Sequence, residues 1–69
     1  MEAWTHYFTF KKTHEYASYW VEILASSNRK AETRMREIYG DCWEHHYSGY
    51  VMLPYSRYPK GCLERYEVE

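Results

Sequence analysis

Apolar residues recur along this chain with two different spacings, and these spacings predict strands and a helix. Alternating aromatic and β-branched residues indicate strands at Trp4–Phe10 and Tyr19–Ala25. In the first strand, Phe8 and Phe10 share a face that we expect to point into the core. In the second, Glu22 marks the wetter face, which also carries Trp20. The short polar connection between the two strands favours an antiparallel hairpin.

A helix is predicted over residues 28–39. Ser26 and Ser27 precede it, and a serine hydroxyl can accept a hydrogen bond from a free amide of the first turn. Ala31, Met35 and Ile38 recur at the i, i+4 and i+7 positions and form one apolar stripe. Neither Gly nor Pro interrupts the segment, and the glycine that follows it is suited to ending a helix.

The remaining chain predicts two more strands. Residues 42–47 form a third strand, in which Trp43, His45 and Tyr47 would share a face, and Ser48-Gly49 is a turn signal. Residues 50–61 are irregular, and residues 63–68 are expected to close the sheet as a charged edge strand. The prediction is one α+β domain over residues 1–69, with β-β-α-β-β order and one helix packed on an antiparallel sheet in two layers.

The predicted core combines the inward strand positions with the helix stripe. Its members are Phe8, Phe10, Val21, Ile23, Ala31, Met35, Ile38 and Trp43.

Composition narrows the function classes. The net charge is -1, so the chain lacks the basic excess of most nucleic-acid binders. No apolar run approaches the roughly 20 residues of a membrane span, and no signal-peptide pattern opens the sequence. We therefore expect a cytoplasmic protein without a membrane partner. Aromatic residues make up 20% of the chain, more rings than so small a core can bury, so some are expected at the surface.

The cysteines and histidines predict no catalytic or metal site. There is no Cys-x-x-Cys pair, and Cys42, His46 and Cys62 could share a metal only if the last two strands paired suitably. Cys42 follows the negative end of the predicted helix, which disfavours a reactive thiolate. No phosphate loop or nucleophile motif is present. We expect the protein not to be an enzyme and to have no cofactor or metal. We expect both thiols to be reduced, and a single disulfide between Cys42 and Cys62 stays open as the alternative.

Binding is the function class that the sequence favours. Tyr, Trp and Arg are enriched at interaction hot spots. The residues predicted to contact a protein partner are Tyr47, Tyr50, Tyr55, Arg57 and Tyr58. In the alternative interpretation, this segment folds back as a lid over the sheet.

Two other kinds of partner stay open. A nucleic acid could use the sheet aromatics together with Lys11, Lys12, Arg29 and Arg36. A free sheet edge could also pair two copies of the chain into a homodimer.

One further pattern bears on the origin of the protein and on the kind of partner it binds. Its residues are Tyr7-Phe8-Thr9-Phe10, His14, Val21-Glu22-Ile23, Ala25, Ala31, Met35, Tyr39-Gly40, Trp43 and Tyr47. This pattern, over roughly residues 5–47, resembles a family of small uncharacterised phage and prophage proteins. The resemblance implies an origin on a mobile element. It also implies a role in binding and inhibiting or modulating a host protein complex, including defence systems such as CRISPR–Cas.

Overall fold

The computed structural model describes residues 2–49 and 53–68. The elements follow in the order β1 (Trp4–Phe10), β2 (Tyr19–Ala25), α1 (Asn28–Tyr39), β3 (Trp43–Ser48) and β4 (Gly61–Glu67). The strands form one four-stranded sheet in the order β3-β1-β2-β4, and α1 packs on one face. The predicted α+β class with a single helix is confirmed for these residues. With 12 residues, α1 is neither long nor apolar enough to cross a lipid bilayer.

The prediction of a purely antiparallel sheet is wrong. β1 pairs antiparallel with both β2 and β3, but β4 lies parallel to β2. β3 and β4 occupy opposite edges and run in the same direction. The chain therefore has to return from Gly49, beside Thr5, to Gly61, beside Tyr19 at the other end of the sheet. Local turn signals do not predict such a crossing, because the direction of β4 depends on which edge of the sheet is left for it to pair with.

The helix begins and ends where its capping residues predict. The Ser27 side chain accepts a hydrogen bond from the Lys30 amide at 3.1 Å. Gly40 has a φ of +67°, and its amide donates to the Arg36 carbonyl. These bonds satisfy backbone groups that a helix leaves free at both ends.

One residue of the predicted helix stripe is misplaced. Ala31 and Met35 are fully buried, but Ile38 is only half-buried and lies outside the core cluster. Tyr39 packs in the last turn instead, with its ring centroid 5.3 Å from that of Phe10. The stripe predicted the face correctly in the first two turns, but a short helix crossing a twisted sheet contacts it with a different side chain at its end.

The core lies between α1 and the sheet. Its buried members are Phe8, Phe10, Val21, Ile23, Ala25, Ala31 and Met35. Trp43 is half-buried and packs against this cluster. A shift in pairing between Thr9 and Phe10 sets Trp43 opposite Phe10 on the helix side, while His45 lies opposite Thr9 on the other side. The predicted shared face of Trp43, His45 and Tyr47 is therefore wrong, because a bulge breaks the alternation.

Candidate functional site

The sheet face turned away from α1, here called the open face, carries a second set of side chains. Register and alternation place on it Thr5, Tyr7, Thr9, Trp20, Glu22, Leu24, His45, Tyr47, Cys62, Arg65 and Glu67. Its two ends differ. One end is covered by part of the β3–β4 connection, and the other is exposed.

The covered end is built around Trp20, which is 7% exposed. The rings of Tyr55 and Tyr58 meet Trp20 edge-on, at centroid distances of 5.5 and 6.2 Å. A Cβ added at Gly61, whose φ is +74°, would lie 3.3 Å from the Tyr55 ring, so glycine suits this tight passage. The sequence predicts that the face of β2 that carries Glu22 is the more solvent-exposed one, but it is covered at this end. Trp20 is buried there, and its Nε1 donates to the Glu22 carboxylate at 2.9 Å.

The predicted partner-binding residues do not form one surface. Tyr58 is buried against Trp20, as the lid alternative expects, so its ring does not face solvent. Tyr55 is 66% exposed, and Arg57 is exposed beside it. Tyr47 lies on β3, on the other edge of the sheet from β4. Tyr50 lies outside the described residues.

The exposed end of the open face carries a group that we call the apolar strip: Tyr7, Leu24 and Tyr47. Leu24 and Tyr47 are 37% and 36% exposed. Trp4 is 39% exposed, but alternation places its side chain on the helix side of the sheet, where its ring lies 5.1 Å from that of His6. Tyr47 lies directly opposite Tyr7 in the β1–β3 pairing. Trp4, Tyr7 and Leu24 line a shallow depression of about 310 Å³. The tertiary structure thus gathers three large side chains that are far apart in sequence.

The alternative nucleic-acid residues are divided between two places. Lys11 and Lys12 line a cleft at the covered end, together with Arg57. Arg29 and Arg36 belong to α1, and the Arg36 guanidinium lies 6.0 Å from the centre of the Trp43 ring on the helix side of the sheet. Neither helix residue lines the cleft. The predicted set therefore does not form one cationic track.

A chain of buried polar contacts joins α1 to two strands. His6 is fully buried, and its Nε2 lies 3.2 Å from the Ala25 carbonyl oxygen. His6 Nδ1 lies 2.9 Å from His46 Nε2, and His46 Nδ1 lies 2.8 Å from the Glu32 carboxylate. The His46 ring also stacks on Phe8, with centroids 4.3 Å apart. The histidines thus tie edge strand β3 and helix α1 to the middle of the sheet.

The direction of the outer contacts in this chain follows from its ends. The Ala25 carbonyl and the Glu32 carboxylate can only accept hydrogen bonds. His6 Nε2 therefore donates to Ala25, and His46 Nδ1 donates to Glu32. Burial is the main cause that lowers the pKa of His6.

Sequence reasoning missed this network. His6 lies two residues before Phe8 on the inward-facing side of β1, so the alternation does signal its burial. No pattern connects it with Glu32 and His46, which lie on other elements.

The residues weighed for metal or nucleophile chemistry are separated. Both cysteines are free thiols, so the disulfide left open is not formed. Cys42 donates to the Tyr39 carbonyl at 3.0 Å, whereas Cys62 lies opposite Trp20 on the open face. Burial, with Glu22 nearby, raises the pKa of the Cys62 thiol. Within residues 2–49 and 53–68, no group of three or more His, Cys, Asp or Glu side chains is arranged to hold a metal ion.

Comparison with known proteins gives no relative. No protein-family model matches the chain. Neither the curated proteins nor the solved structures contain a match to it. The chain's own surfaces are therefore the basis for any statement about its function.

Proposed function

We propose that this chain is a binding protein that engages a host protein complex through the apolar strip. One observation carries the proposal: Leu24 and Tyr47 are each more than a third exposed, and both lie with Tyr7 at one end of one sheet face. Scattered single apolar residues are normal on a protein surface, but a contiguous group with aromatic members is typical of an interaction site.

The strip has the chemistry of a protein-binding hot spot. Tyr supplies a large contact area at low entropic cost, and aromatic residues dominate the energetics of many interfaces. Charged groups flank the strip, since Glu22 and Arg65 form an ion pair at 3.2 Å on the same face. An apolar centre with a polar rim is the usual anatomy of an interface. Tyr47 also lies on edge strand β3, where a partner could approach the sheet.

The nature of the partner follows from the resemblance to small phage and prophage proteins. Such a protein would act inside a host cell, in the cytoplasm, without cofactor or catalysis. The target that we propose is a host defence complex, with CRISPR–Cas as the system to test first.

A phage challenge tests this function. Bacteria that carry an active CRISPR–Cas system and express the chain are infected with a phage that the system targets, and the efficiency of plating is measured. We expect expression to raise plating, and the double variant Leu24→Ser/Tyr47→Ser to abolish this effect while staying folded. Binding of the purified complex should weaken about 30-fold or more, because a hot spot contributes roughly 2 kcal/mol or more. The matched control Arg29→Gln/Glu37→Gln changes exposed helix residues away from the strip and should behave as wild type.

The same experiment separates the alternatives. Unchanged activity of the strip variant would contradict the proposal. If Lys11→Glu/Lys12→Glu instead abolished binding in a steeply salt-dependent way, a nucleic-acid accessory role would replace it. If light scattering showed a dimer that Leu24→Ser/Tyr47→Ser converts to a monomer, the strip would be a homodimer interface.

A further inference from the structure

A cleft of about 590 Å³ opens where the β1–β2 connection meets the β3–β4 connection. Its floor contains Thr9 and Phe10, and its walls carry Lys11, Lys12 and Arg57. We call this the cationic cleft. It lies at the covered end of the open face, with the sheet between it and α1. It is separate from the apolar strip, since no residue lines both the cleft and the depression beside Trp4.

The charge in the cleft is unbalanced. Lys11, Lys12 and Arg57 contribute three positive charges, whereas Glu44 is the single carboxylate in the lining. That carboxylate lies 3.5 Å from His45 Nε2, so it has a partner already. In the part of the chain that the structure describes, none of the three cations forms an ion pair. Converging cations without anionic partners attract anions strongly, and more so where concave walls limit screening by water.

A buried hydroxyl lies in the floor. Thr9 is 1% exposed, and its Oγ1 has no hydrogen-bond partner. A buried donor without an acceptor is unfavourable, and such groups in a folded protein call for an explanation. Because Thr9 belongs to the lining of the cleft, a ligand that accepts hydrogen bonds there would give this hydroxyl the partner it lacks. Thr13 and Ser18 add further hydroxyl groups to the lining.

We propose that the cationic cleft binds the phosphate group of a nucleotide-sized ligand. Phosphate suits it because a dianion with several oxygens can pair with two or three cations at once and accept hydrogen bonds from hydroxyl groups. A single carboxylate would leave most of these donors unused. The volume exceeds what one inorganic ion needs and falls within the roughly 300–1,000 Å³ of small-molecule sites. Ala17 and Tyr58 also belong to the lining and add apolar atoms for the rest of the ligand to contact.

Calorimetric titration of the full chain with ATP, AMP, inorganic phosphate and adenosine tests this site. We expect affinity to fall in that order, with no binding of adenosine and with weaker ATP binding as salt rises. Lys12→Gln and Arg57→Gln should each weaken ATP binding about tenfold, as expected for the loss of one charged contact worth 1.4 kcal/mol. The matched control Arg29→Gln removes an exposed charge on α1, outside the cleft, and should bind ATP as wild type does. Thr9→Val should keep or raise the melting temperature, because the hydroxyl has no partner to lose, yet weaken ATP binding.

Each part of the proposal can fail. No saturable ATP binding up to millimolar concentration would overturn it, as would equal binding of adenosine and ATP. An equal loss of ATP affinity in Arg29→Gln and Arg57→Gln would show that ATP is attracted by the overall charge and not bound at a site. Binding of oligo(dT) without binding of any mononucleotide would replace the small-ligand site with a single-strand interface. Unchanged ATP affinity in Thr9→Val would overturn the role assigned to the hydroxyl.

Discussion

Replacing Glu32 with Gln tests the charged contact at the end of the buried histidine chain. The substitution keeps the shape of the side chain and removes its charge, so His46 Nδ1 loses its charged acceptor. A hydrogen bond to a charged group contributes about 1.5–3 kcal/mol to stability. The Glu32 side chain is 34% exposed, so water already screens part of this interaction. We therefore expect Glu32→Gln to lower the free energy of unfolding by about 1–2 kcal/mol at pH 7.

Urea and thermal unfolding measure this loss. For a domain of this size, each kcal/mol lowers the melting temperature by roughly 4–8 °C. Glu37→Gln is the matched control, because Glu37 lies on the same helix but is 60% exposed and 3.9 Å from Arg34. Its change should stay within about 0.5 kcal/mol.

A double-mutant cycle decides whether the energy belongs to the contact. Combining Glu32→Gln with His46→Gln should cost less than the sum of the single changes, with a coupling of about 1 kcal/mol or more. If Glu32→Gln were no more destabilising than Glu37→Gln, the stability assigned to the Glu32–His46 contact would be refuted. Additive effects in the cycle would refute the direct link between Glu32 and His46.

Three further predictions concern the fold. His6 has a lowered pKa in the folded state, so it contributes stability that is present above its unfolded value of 6.5 and is lost as pH falls through the folded pKa. In urea unfolding measured from pH 7 to 5, the free energy of unfolding should therefore fall more steeply for wild type than for His6→Gln. Equal slopes of this free energy against pH would contradict the prediction. Met35→Ala should cost about 2–5 kcal/mol, and Ile38→Ala clearly less because Ile38 is half-buried; equal losses in thermal melts would contradict the observed helix orientation. Dithiothreitol should leave the melting temperature unchanged, since Cys42 and Cys62 are free thiols; a drop would reveal a disulfide. EDTA should also leave it unchanged, because metal removal has no folding energy to withdraw where no metal is bound; a drop would reveal a metal.

Much of the fold could be predicted because its signals are local. The alternation in β1 and β2, the Ser27 cap and the Gly40 stop depend on residues a few positions apart, and each agrees with the structure. The buried Phe8 and Met35 follow from the same periods. The candidate sites were less predictable. Tyr47 was singled out as an aromatic contact, but its neighbours in the apolar strip were not, because cross-strand pairing brings them together.

The sequence by itself determined the elements, the helix face in its first two turns and most of the core, since the strand and helix periods fix which side chains share a surface. Tertiary structure alone decided the parallel placement of β4, the burial of Tyr58 on Trp20, and the meeting of His6, His46 and Glu32. These features depend on which edge the last strand joins and on a bulge that turns part of β3. Both are set by the global balance of burial, which no local spacing encodes.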